Sequence, residues 1–240
     1  MYKLTADYHT HTTMSHGLGS VEDNVRMALK KGLKRVGIAD HGPAHMAYGV
    51  RNLKQYFSEI TRVKEKYAGQ IEVWTGLEFN LTGLQGETDW QETLQDSLDF
   101  SIVGYHKFIR PASMGAAWHF YITKHFKNSA HALARTTDAY IAALSTGRFK
   151  FVVHPGYGIL VDIPALAAAC REYDVWFEIN NSHKELSPSW LETAANQGAK
   201  FVLSSDAHQP DKVGCFETAL EKACAAGLTE REIVNLEVET

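Results

Sequence analysis

The chain has 240 residues, of which 45% are hydrophobic, so it can form one large core or two small ones. Its net charge of −4 excludes the strongly basic footprint of many nucleic-acid-binding proteins. No apolar run of about 18 residues and no apolar segment near the N-terminus is present, which predicts neither a membrane span nor a signal peptide. Three cysteines without a C-x-x-C pair are typical of reduced thiols in a cytoplasmic protein.

The first predicted element is a strand at residues 1–4 that runs into a histidine-rich segment, DYHTHTTMSHG at residues 7–17. Strand side chains alternate between two faces, so Asp7, His9 and His11 are expected on the same face. His16 follows after a short loop and can fold back towards them. Two imidazoles at a strand end can bind one metal ion, although a His-x-His pair can also arise by chance.

Predicted helices and strands alternate along the rest of the chain. Ser20 and Asp23 have the spacing of a capping box and predict a helix that ends near Gly32. Further helices are predicted at residues 53–67, 90–98, from about 116, and at 130–144, 164–173, 188–197, 220–225 and 230–236. Strands are predicted at residues 35–39, 71–77, 100–105, 149–153, 175–179 and 201–204.

Strands separated by helical segments indicate parallel βαβ units, and seven of them predict a single domain, residues 1–240, with a closed or nearly closed barrel. In such barrels the functional residues collect at the C-terminal ends of the strands. Six of the seven strand ends carry residues of the kind that bind metals: His9 and His11, His41, Glu78, His106, His154, and Asp206 with His208. A single histidine on an apolar strand is usually a core residue, but six coincident strand ends predict a metal centre.

Imidazole and carboxylate ligands without thiolate suit zinc, iron or manganese. With His16 there are nine candidate ligands, enough for three divalent ions if Glu78 bridges two of them. A multinuclear cluster suits in-line displacement at phosphorus by a metal-activated water. Ser15 and Ser205 lie in no nucleophile motif, so a phosphoenzyme is not expected.

Seven short motifs together resemble the polymerase and histidinol phosphatase (PHP) superfamily of metal-dependent phosphoesterases over residues 5 to 210. They are HTHTTMSHG (9–17), ADHGP (39–43), GLEFN (76–80), YHK (105–107), HPG (154–156), INNS (179–182) and SSDAH (204–208). INNS resembles the short stand-alone phosphatases of the family. The resemblance implies a distorted (β/α)7 barrel with two or three metal ions.

The resemblance also implies how the ligands are shared, and no position of its nine-ligand pattern is missing here. By similarity, His9, His11, Glu78 and Asp206 would hold a first ion; Glu78, His106 and His154 a second; and His16, His41 and His208 a third. Zinc is expected first, with manganese or iron as alternatives. Glu78, Asp206 and His208 are the predicted catalytic residues.

Four residues are candidates for substrate binding. Lys107 and Arg110 follow His106 in the loop over the site, and Arg51 lies in the loop after the second predicted strand. The guanidinium fork matches phosphate oxygens, although each of these three is also typical of a solvated surface charge. Asn180 occupies the remaining strand end.

Several further residues carry weaker signals. Asp7 and Asp40 each lie beside a ligand histidine and could orient an imidazole, or could simply belong to a strand end or turn. Five histidines match no ligand motif: His45, His119, His125, His131 and His183. Three of them, His119, His125 and His131, lie in the long insertion and are expected at the surface or in a lid.

Three functions fit these observations. The first is hydrolysis of a small-molecule phosphate ester, with histidinol phosphate as one candidate. The second is a metal-dependent nuclease, against which stand the negative charge and the lack of an interleaved basic and aromatic groove. The third is a non-catalytic metal-binding or accessory proofreading module, which the complete ligand set disfavours.

Overall fold

The structure, a computed structural model, describes residues 2–122 and 130–238. Within these ranges strands and helices alternate along most of the chain. The strands are β1 (Tyr2–Leu4), β2 (Ala6–Asp7), β3 (Arg35–Ile38), β4 (Glu72–Thr75), β5 (Glu78–Asn80), β6 (Ile102–Gly104), β7 (Phe151–Val152), β8 (Trp176–Asn180), β9 (Phe201–Ser204) and β10 (Leu236–Val238). The α-helices are α1 (Val21–Lys30), α2 (Leu53–Lys66), α3 (Met114–Tyr121), α4 (Ala130–Leu144), α5 (Ile163–Glu172), α6 (Pro188–Asn196) and α7 (Glu217–Ala225).

Parallel strands form two sheets in chain order, β2-β3-β4 and β5-β6-β7-β8-β9. Two isolated parallel bridges connect residues at the edges of these sheets. His41 after β3 pairs with Glu78 at the start of β5, and Thr10 after β2 pairs with Ala207 after β9. The C-terminal ends of β2, β3 and β9 therefore lie next to one another, together with the start of β5.

The predicted strand at residues 71–77 is divided in the structure. β4 ends at Thr75, and β5 begins at Glu78 with a different partner strand. A Cβ atom on Gly76 would lie 2.4 Å from the Phe100 ring, so the backbone approaches this ring as only glycine allows. The buried Tyr56 hydroxyl, from α2, bonds the Gly76 carbonyl at 2.7 Å. This break brings Glu78 into the second sheet.

The strands of both sheets share an apolar cluster. Ala6 of β2 belongs to it together with Ile102, Phe151 and Val202 of β6, β7 and β9. The helices cover the outside of the sheets with amphipathic faces, such as the buried Tyr56, Ile60 and Val63 of α2. The predicted capping box of α1 is confirmed, because Ser20 and Asp23 cap each other's backbone.

One prediction near the C-terminal end of the described residues is wrong, because residues 230–235 form turns and bridges rather than a helix, and Leu236 begins β10. The predicted strand at residues 1–4 forms as β1, but it pairs antiparallel with β10, with Leu4 opposite Leu236, and β2 is the strand that joins the parallel sheet. The long-range pairing of β10 with β1 overrides the local helical pattern of residues 230–236. Over the described residues, no helix has the length and apolar character required to span a membrane.

Candidate metal centre

The nine predicted ligand side chains lie in one cluster at the strand ends. Ligand atoms within 4.8 Å of one another define the groups His11, His41, His208; His9, His11, Asp206; His41, Glu78, His106; and His154, His183, Asp206. His16 joins the cluster through its ring, whose centroid is 4.1 Å from that of His208 and 4.9 Å from that of His41. Residues far apart in sequence thus meet because parallel strands end at the same side of the sheets.

Glu78 lies at the centre of the cluster and is fully buried. Its Oε1 lies 2.8 Å from His106 Nε2, 2.9 Å from His154 Nε2 and 3.3 Å from His9 Nε2. Its Oε2 lies 2.6 Å from His41 Nδ1. One carboxylate therefore faces imidazoles from four different segments of the chain, which is the position required of a bridging ligand.

Hydrogen bonds at the outer ring nitrogens orient several imidazoles. Nδ1 of His9 donates to Glu178 at 2.7 Å, Nδ1 of His106 donates to the Asn80 side-chain carbonyl at 2.9 Å, and Nδ1 of His208 donates to the Asp206 backbone carbonyl at 3.0 Å. Each bond places the ring proton on Nδ1 and leaves the lone pair on Nε2. A metal-bound histidine typically has this arrangement.

Several buried polar atoms of the cluster make no hydrogen bond within the described part of the chain. They are Nδ1 of His11, His16, His41 and His154, and Oε2 of Glu78. His41 Nδ1 and Glu78 Oε2 lie close together but outside hydrogen-bond geometry. Buried polar atoms without partners are costly, and a cation among them would satisfy imidazole and carboxylate lone pairs together. The residues present therefore fit divalent cations that accept nitrogen and oxygen ligands.

The electrostatics of the cluster favour metal-binding protonation states for the carboxylates and for several of the imidazoles. Burial alone would raise the carboxyl pKa of Glu78 and Asp206, but the surrounding imidazoles hold both pKa values well below the usual range. Burial lowers the imidazole pKa of His11 and His41, and lowers the pKa of His16 to about 4. At His9 and His154 burial is outweighed by neighbouring carboxylates, which raise the imidazole pKa, so a cation would have to displace a proton there.

Two buried aspartates hold the loops that carry ligands. Asp40 accepts hydrogen bonds from the backbone and hydroxyl of Thr12, both at 2.7 Å, and from the Ser15 hydroxyl. Asp7 accepts hydrogen bonds from the Ser205 backbone at 3.2 Å and the Gly214 backbone at 2.8 Å. In these contacts the carboxylates fix backbone and hydroxyl groups, which is the strand-end or turn role, the second of the two alternatives that the sequence left open.

Two ligand positions adopt a backbone conformation that is uncommon for residues other than glycine. His154 has φ of 29° and Asp206 has φ of 54°. Such left-handed conformations persist only where the surrounding structure enforces them, and they concentrate at functional sites. Each residue lies two positions after the last residue of a parallel strand, β7 or β9, where the turn directs its side chain into the cluster.

Glu178 is a part of the site that the sequence analysis missed. It lies within β8 and is fully buried. Its Oε1 accepts from His9 Nδ1, and its Oε2 accepts from the backbone N–H of His154 at 2.5 Å. The available signal was the strand alternation, because Glu178 is two residues from Asn180 and therefore points to the same face.

The comparisons with known proteins agree with this geometry. The family model described as PHP domain matches residues 7–196. The chain belongs to the PHP family. A relative named "Probable phosphatase" from Thermoanaerobacter sp. (strain X514) is 32% identical over 246 residues, covering 98% of this chain and 92% of the relative. A second relative of the same name, from Shewanella sp. (strain MR-4), is 29% identical, and the match covers 95% of this chain and 86% of that relative.

A solved PHP-like structure gives the fold comparison. The crystal structure of histidinol phosphate phosphatase from Lactococcus lactis, complexed with zinc, L-histidinol and phosphate, superposes with a TM-score of 0.66. The match covers 94% of each chain at 16% sequence identity. At this identity the likeness concerns the fold alone.

The predicted substrate-binding residues of this PHP protein occupy different places. A cavity of about 240 Å³ opens above the cluster, and Lys107 lines it beside Tyr48, Phe108 and Tyr157. The Arg51 guanidinium donates to the carbonyls of His45 and Met46 and so braces that loop. Arg110 is exposed. Neither arginine lines the cavity.

Asn180, the fourth candidate, lies behind the ligands. Its Nδ2 donates to Glu178 Oε2 at 3.0 Å and to Asp206 Oδ2 at 3.2 Å. Its Oδ1 accepts from the backbone N–H groups of Ser182 and His183. The amide therefore connects β8 to a ligand at the end of β9 and to the loop that follows β8.

The histidines outside the PHP motifs do not share one environment. The expectation of a surface or lid position is wrong for His119, which is buried in α3 with Nε2 2.8 Å from Thr136 Oγ1. His45 is buried and stacks on His41. His131 is exposed as expected. His183 lines the cavity, and His125 lies outside the described residues.

Proposed function

We propose that the protein is a metal-dependent phosphatase that hydrolyses a small-molecule phosphomonoester. The observation that carries the proposal is the position of Glu78, a buried carboxylate within 3.3 Å of imidazoles from four segments. The proposal includes a single domain, residues 1–240, whose two parallel sheets act as one distorted (β/α)7 barrel. Three divalent ions would bind at the C-terminal ends of its strands. Zinc is the first candidate for these ions, with manganese or iron as alternatives.

The four overlapping groups of neighbouring ligand atoms support more than one metal site, and the division into three follows the family resemblance. We assign His9, His11, Glu78 and Asp206 to one ion, Glu78, His106 and His154 to a second, and His16, His41 and His208 to a third. Such ions supply Lewis acidity for phosphate oxygens and an ionised water as the attacking group. The protein keeps Glu78 and Asp206 ionised, keeps the imidazoles of His11, His16 and His41 neutral, and orients His9 through Glu178.

The cavity wall supports the assignment of substrate contacts. Lys107 is the cavity-lining cation that could contact a phosphate oxygen, while His208 and Asp206 lie at the floor where the phosphate would react. Arg51, Arg110 and Asn180 would then contribute indirectly, by supporting loops or ligands. The small cavity and the net charge of −4 favour a metabolite over a nucleic acid strand.

The residues that line the cavity also bear on which charge the leaving group can carry. Among the described residues that line the cavity, the acids are Glu78 and Asp206, and both belong to the cluster. An ammonium group, as in histidinol phosphate, would find no separate carboxylate there. Lys107 suits an anionic group, whereas the rings of Tyr48, Phe108 and Tyr157 can pack against an apolar leaving group or attract a cation, so the wall alone does not select the charge of the leaving group.

A side-by-side assay tests the proposal. Metal-stripped protein is reconstituted with zinc, manganese or iron and given an aryl phosphate monoester, the matching diester and a labelled oligonucleotide. We expect metal-dependent hydrolysis of the monoester. Faster cleavage of the oligonucleotide would establish the nuclease alternative, and activity that survives metal removal would overturn the mechanism. A panel of phosphorylated metabolites that includes histidinol phosphate then ranks the leaving groups.

A further inference from the structure

His183 lies at the wall of the metal centre although it belongs to no PHP ligand motif. Its Nε2 is 3.2 Å from Asp206 Oδ2. Ligand atoms of His154, His183 and Asp206 lie within 4.8 Å of one another, as close as the groups made only of predicted ligands. The side chain is about a quarter exposed and lines the cavity.

The structure holds this imidazole in place from several sides. The backbone N–H of His183 donates to Asn180 Oδ1 at 3.1 Å, and its carbonyl accepts from the Lys222 ammonium. Its ring centroid lies 4.0 Å from that of Tyr157 and 5.0 Å from that of His154. A surface histidine would not require fixation of both its backbone and its ring.

The ring nitrogen that faces the cluster is Nε2. It lies 3.2 Å from Asp206 Oδ2 and can donate a hydrogen bond to it, whereas Nδ1 lies 3.9 Å from Glu185 Oε2, outside hydrogen-bond distance. Asp206 Oδ2 also accepts a hydrogen bond from Asn180 Nδ2 at 3.2 Å. A cation bound here would replace the Nε2 proton and take an imidazole nitrogen and a carboxylate oxygen as neighbouring ligands.

We propose that His183 is a tenth metal ligand, which binds a divalent cation together with His154 and Asp206. This inference rests on the proposed metal centre and extends it to a residue outside the nine-ligand pattern. A tenth ligand would connect the loop after β8 to the cluster. The loop, which also carries Glu185, would then be ordered by the ion as well as by Asn180 and Lys222.

Metal binding tests the proposal independently of catalysis. Metal-free protein is titrated with Co²⁺, which replaces zinc and has a coordination-sensitive visible spectrum, in competition with a chromophoric chelator. The variant His183→Phe keeps a ring against Tyr157 but has no ligand atom. We expect it to weaken one ion's Kd at least about tenfold and to change the Co²⁺ spectrum. His131→Gln, at an exposed position of α4, is the control and should match the wild type.

The outcomes separate this inference from the proposed function. His183→Gln is the second variant, used if the phenylalanine variant fails to fold, and is expected to weaken the same ion. Unchanged Kd values and an unchanged spectrum in a folded variant would overturn the tenth ligand. Weaker binding of inorganic phosphate with unchanged metal affinity would also overturn it, because His183 would then contact the anion. A wild-type protein that binds no Co²⁺ would instead refute the proposed metal centre.

Discussion

Among the described residues, Glu78 is the carboxylate with the largest number of imidazoles close to its oxygens. Its two oxygens lie within 3.6 Å of five imidazoles, those of His9, His11, His41, His106 and His154. The other carboxylate of the cluster, Asp206, lies within 3.6 Å of four, those of His9, His11, His183 and His208. Replacement of Glu78 by glutamine keeps the shape of the side chain and removes the charge. The effect on activity therefore reports the electrostatic role rather than a loss of packing.

We expect Glu78→Gln to lower kcat by at least about a hundredfold, the cost seen when a group that stabilises charge at the reacting centre is removed. The measurement is steady-state hydrolysis of an aryl phosphate with metal present. Glu172→Gln, at the exposed end of α5, removes the same charge far from the site and should be neutral. Near-normal turnover of the Glu78 variant would exclude this carboxylate from the mechanism.

Glu178 supports a second prediction. Glu178→Gln weakens the acceptor for His9 Nδ1 and for the His154 backbone without touching the cavity. Partners of this kind typically contribute about 10–100-fold to metal affinity or activity. Chelator competition on the purified variant should show this loss, with the same Glu172→Gln control. Equal metal affinity would mean that the imidazole of His9 is oriented by packing alone.

The hydroxyls near the centre predict the stereochemical course. Ser205 Oγ donates to Asp7 at 2.5 Å, Ser15 Oγ donates to Asp40, and neither lines the cavity. Both hydroxyls are committed to structural bonds, so we expect direct attack by water and inversion at phosphorus. Hydrolysis of a chiral phosphate monoester, with the configuration of the product phosphate determined, measures this. Retention, or a trapped phosphoenzyme, would reveal a nucleophile among the protein's side chains.

The sequence predicts the individual ligands because each follows a strand, where a short motif marks it. Glu178 was missed because it lies inside a strand with apolar neighbours, and its partner His9 is 169 residues away. His183 gave no signal because its relation to Asp206 depends on the turn after β8. Charge partners across the sheets cannot be read from one strand alone.

At the scale of the elements, the close approach of neighbouring strands depends on glycine. A Cβ on Gly37 of β3 would lie 2.7 Å from the Tyr8 carbonyl and 2.8 Å from the Phe100 ring. Backbone atoms cannot give way as a flexible side chain can. We therefore expect Gly37→Ala to destabilise the fold by about 1–3 kcal/mol, the usual cost of overpacking.

Thermal unfolding followed by circular dichroism measures the effect. For a chain of this size, each kcal/mol corresponds to about 2–4 °C in Tm. Gly115→Ala is the matched control, because its Cβ would meet only the Ser113 hydroxyl at 3.8 Å and alanine favours the α3 helix. A Tm of Gly37→Ala equal to that of the wild type would mean that β2 and β3 can separate without cost.

The elements were predictable where local pattern and tertiary structure agree. The amphipathic face of α2 is visible in the sequence, and the helix forms as expected. The break within the predicted strand at residues 71–77 was not predicted. It depends on contacts of Gly76 with Phe100 and with the Tyr56 hydroxyl, which belong to other parts of the chain. The predicted helix at 230–236 failed because Leu236 pairs with Leu4 of β1, more than 200 residues away.

At the scale of the whole molecule, the metal centre draws on both parallel sheets. Its ligands follow β2, β3, β6, β7 and β9, with Glu78 on β5, so ions bound there would cross-link most of the strands. A ligand that binds only the folded state stabilises it by about 2.7 kcal/mol at 100 times its Kd. We expect removal of metal to lower Tm by several degrees.

Differential scanning calorimetry of metal-free and reconstituted protein measures this difference. Zinc should restore the higher Tm, whereas magnesium should not, because it prefers oxygen ligands in octahedral geometry. The Glu78→Gln variant should gain less from zinc than the wild type does. An identical Tm with and without zinc would argue against binding at the strand ends.

The shared position of Glu78 has a thermodynamic consequence for how the ions would load. One carboxylate contacts ligands of more than one proposed ion, so occupancy at one position changes the charge and geometry available at the next. Linkage requires this influence to be reciprocal: the factor by which the first ion alters affinity for the second equals the factor in the other direction. Exchange of a single ion for another element would then shift the affinities of its neighbours, and mixed-metal protein would differ from the average of its pure forms.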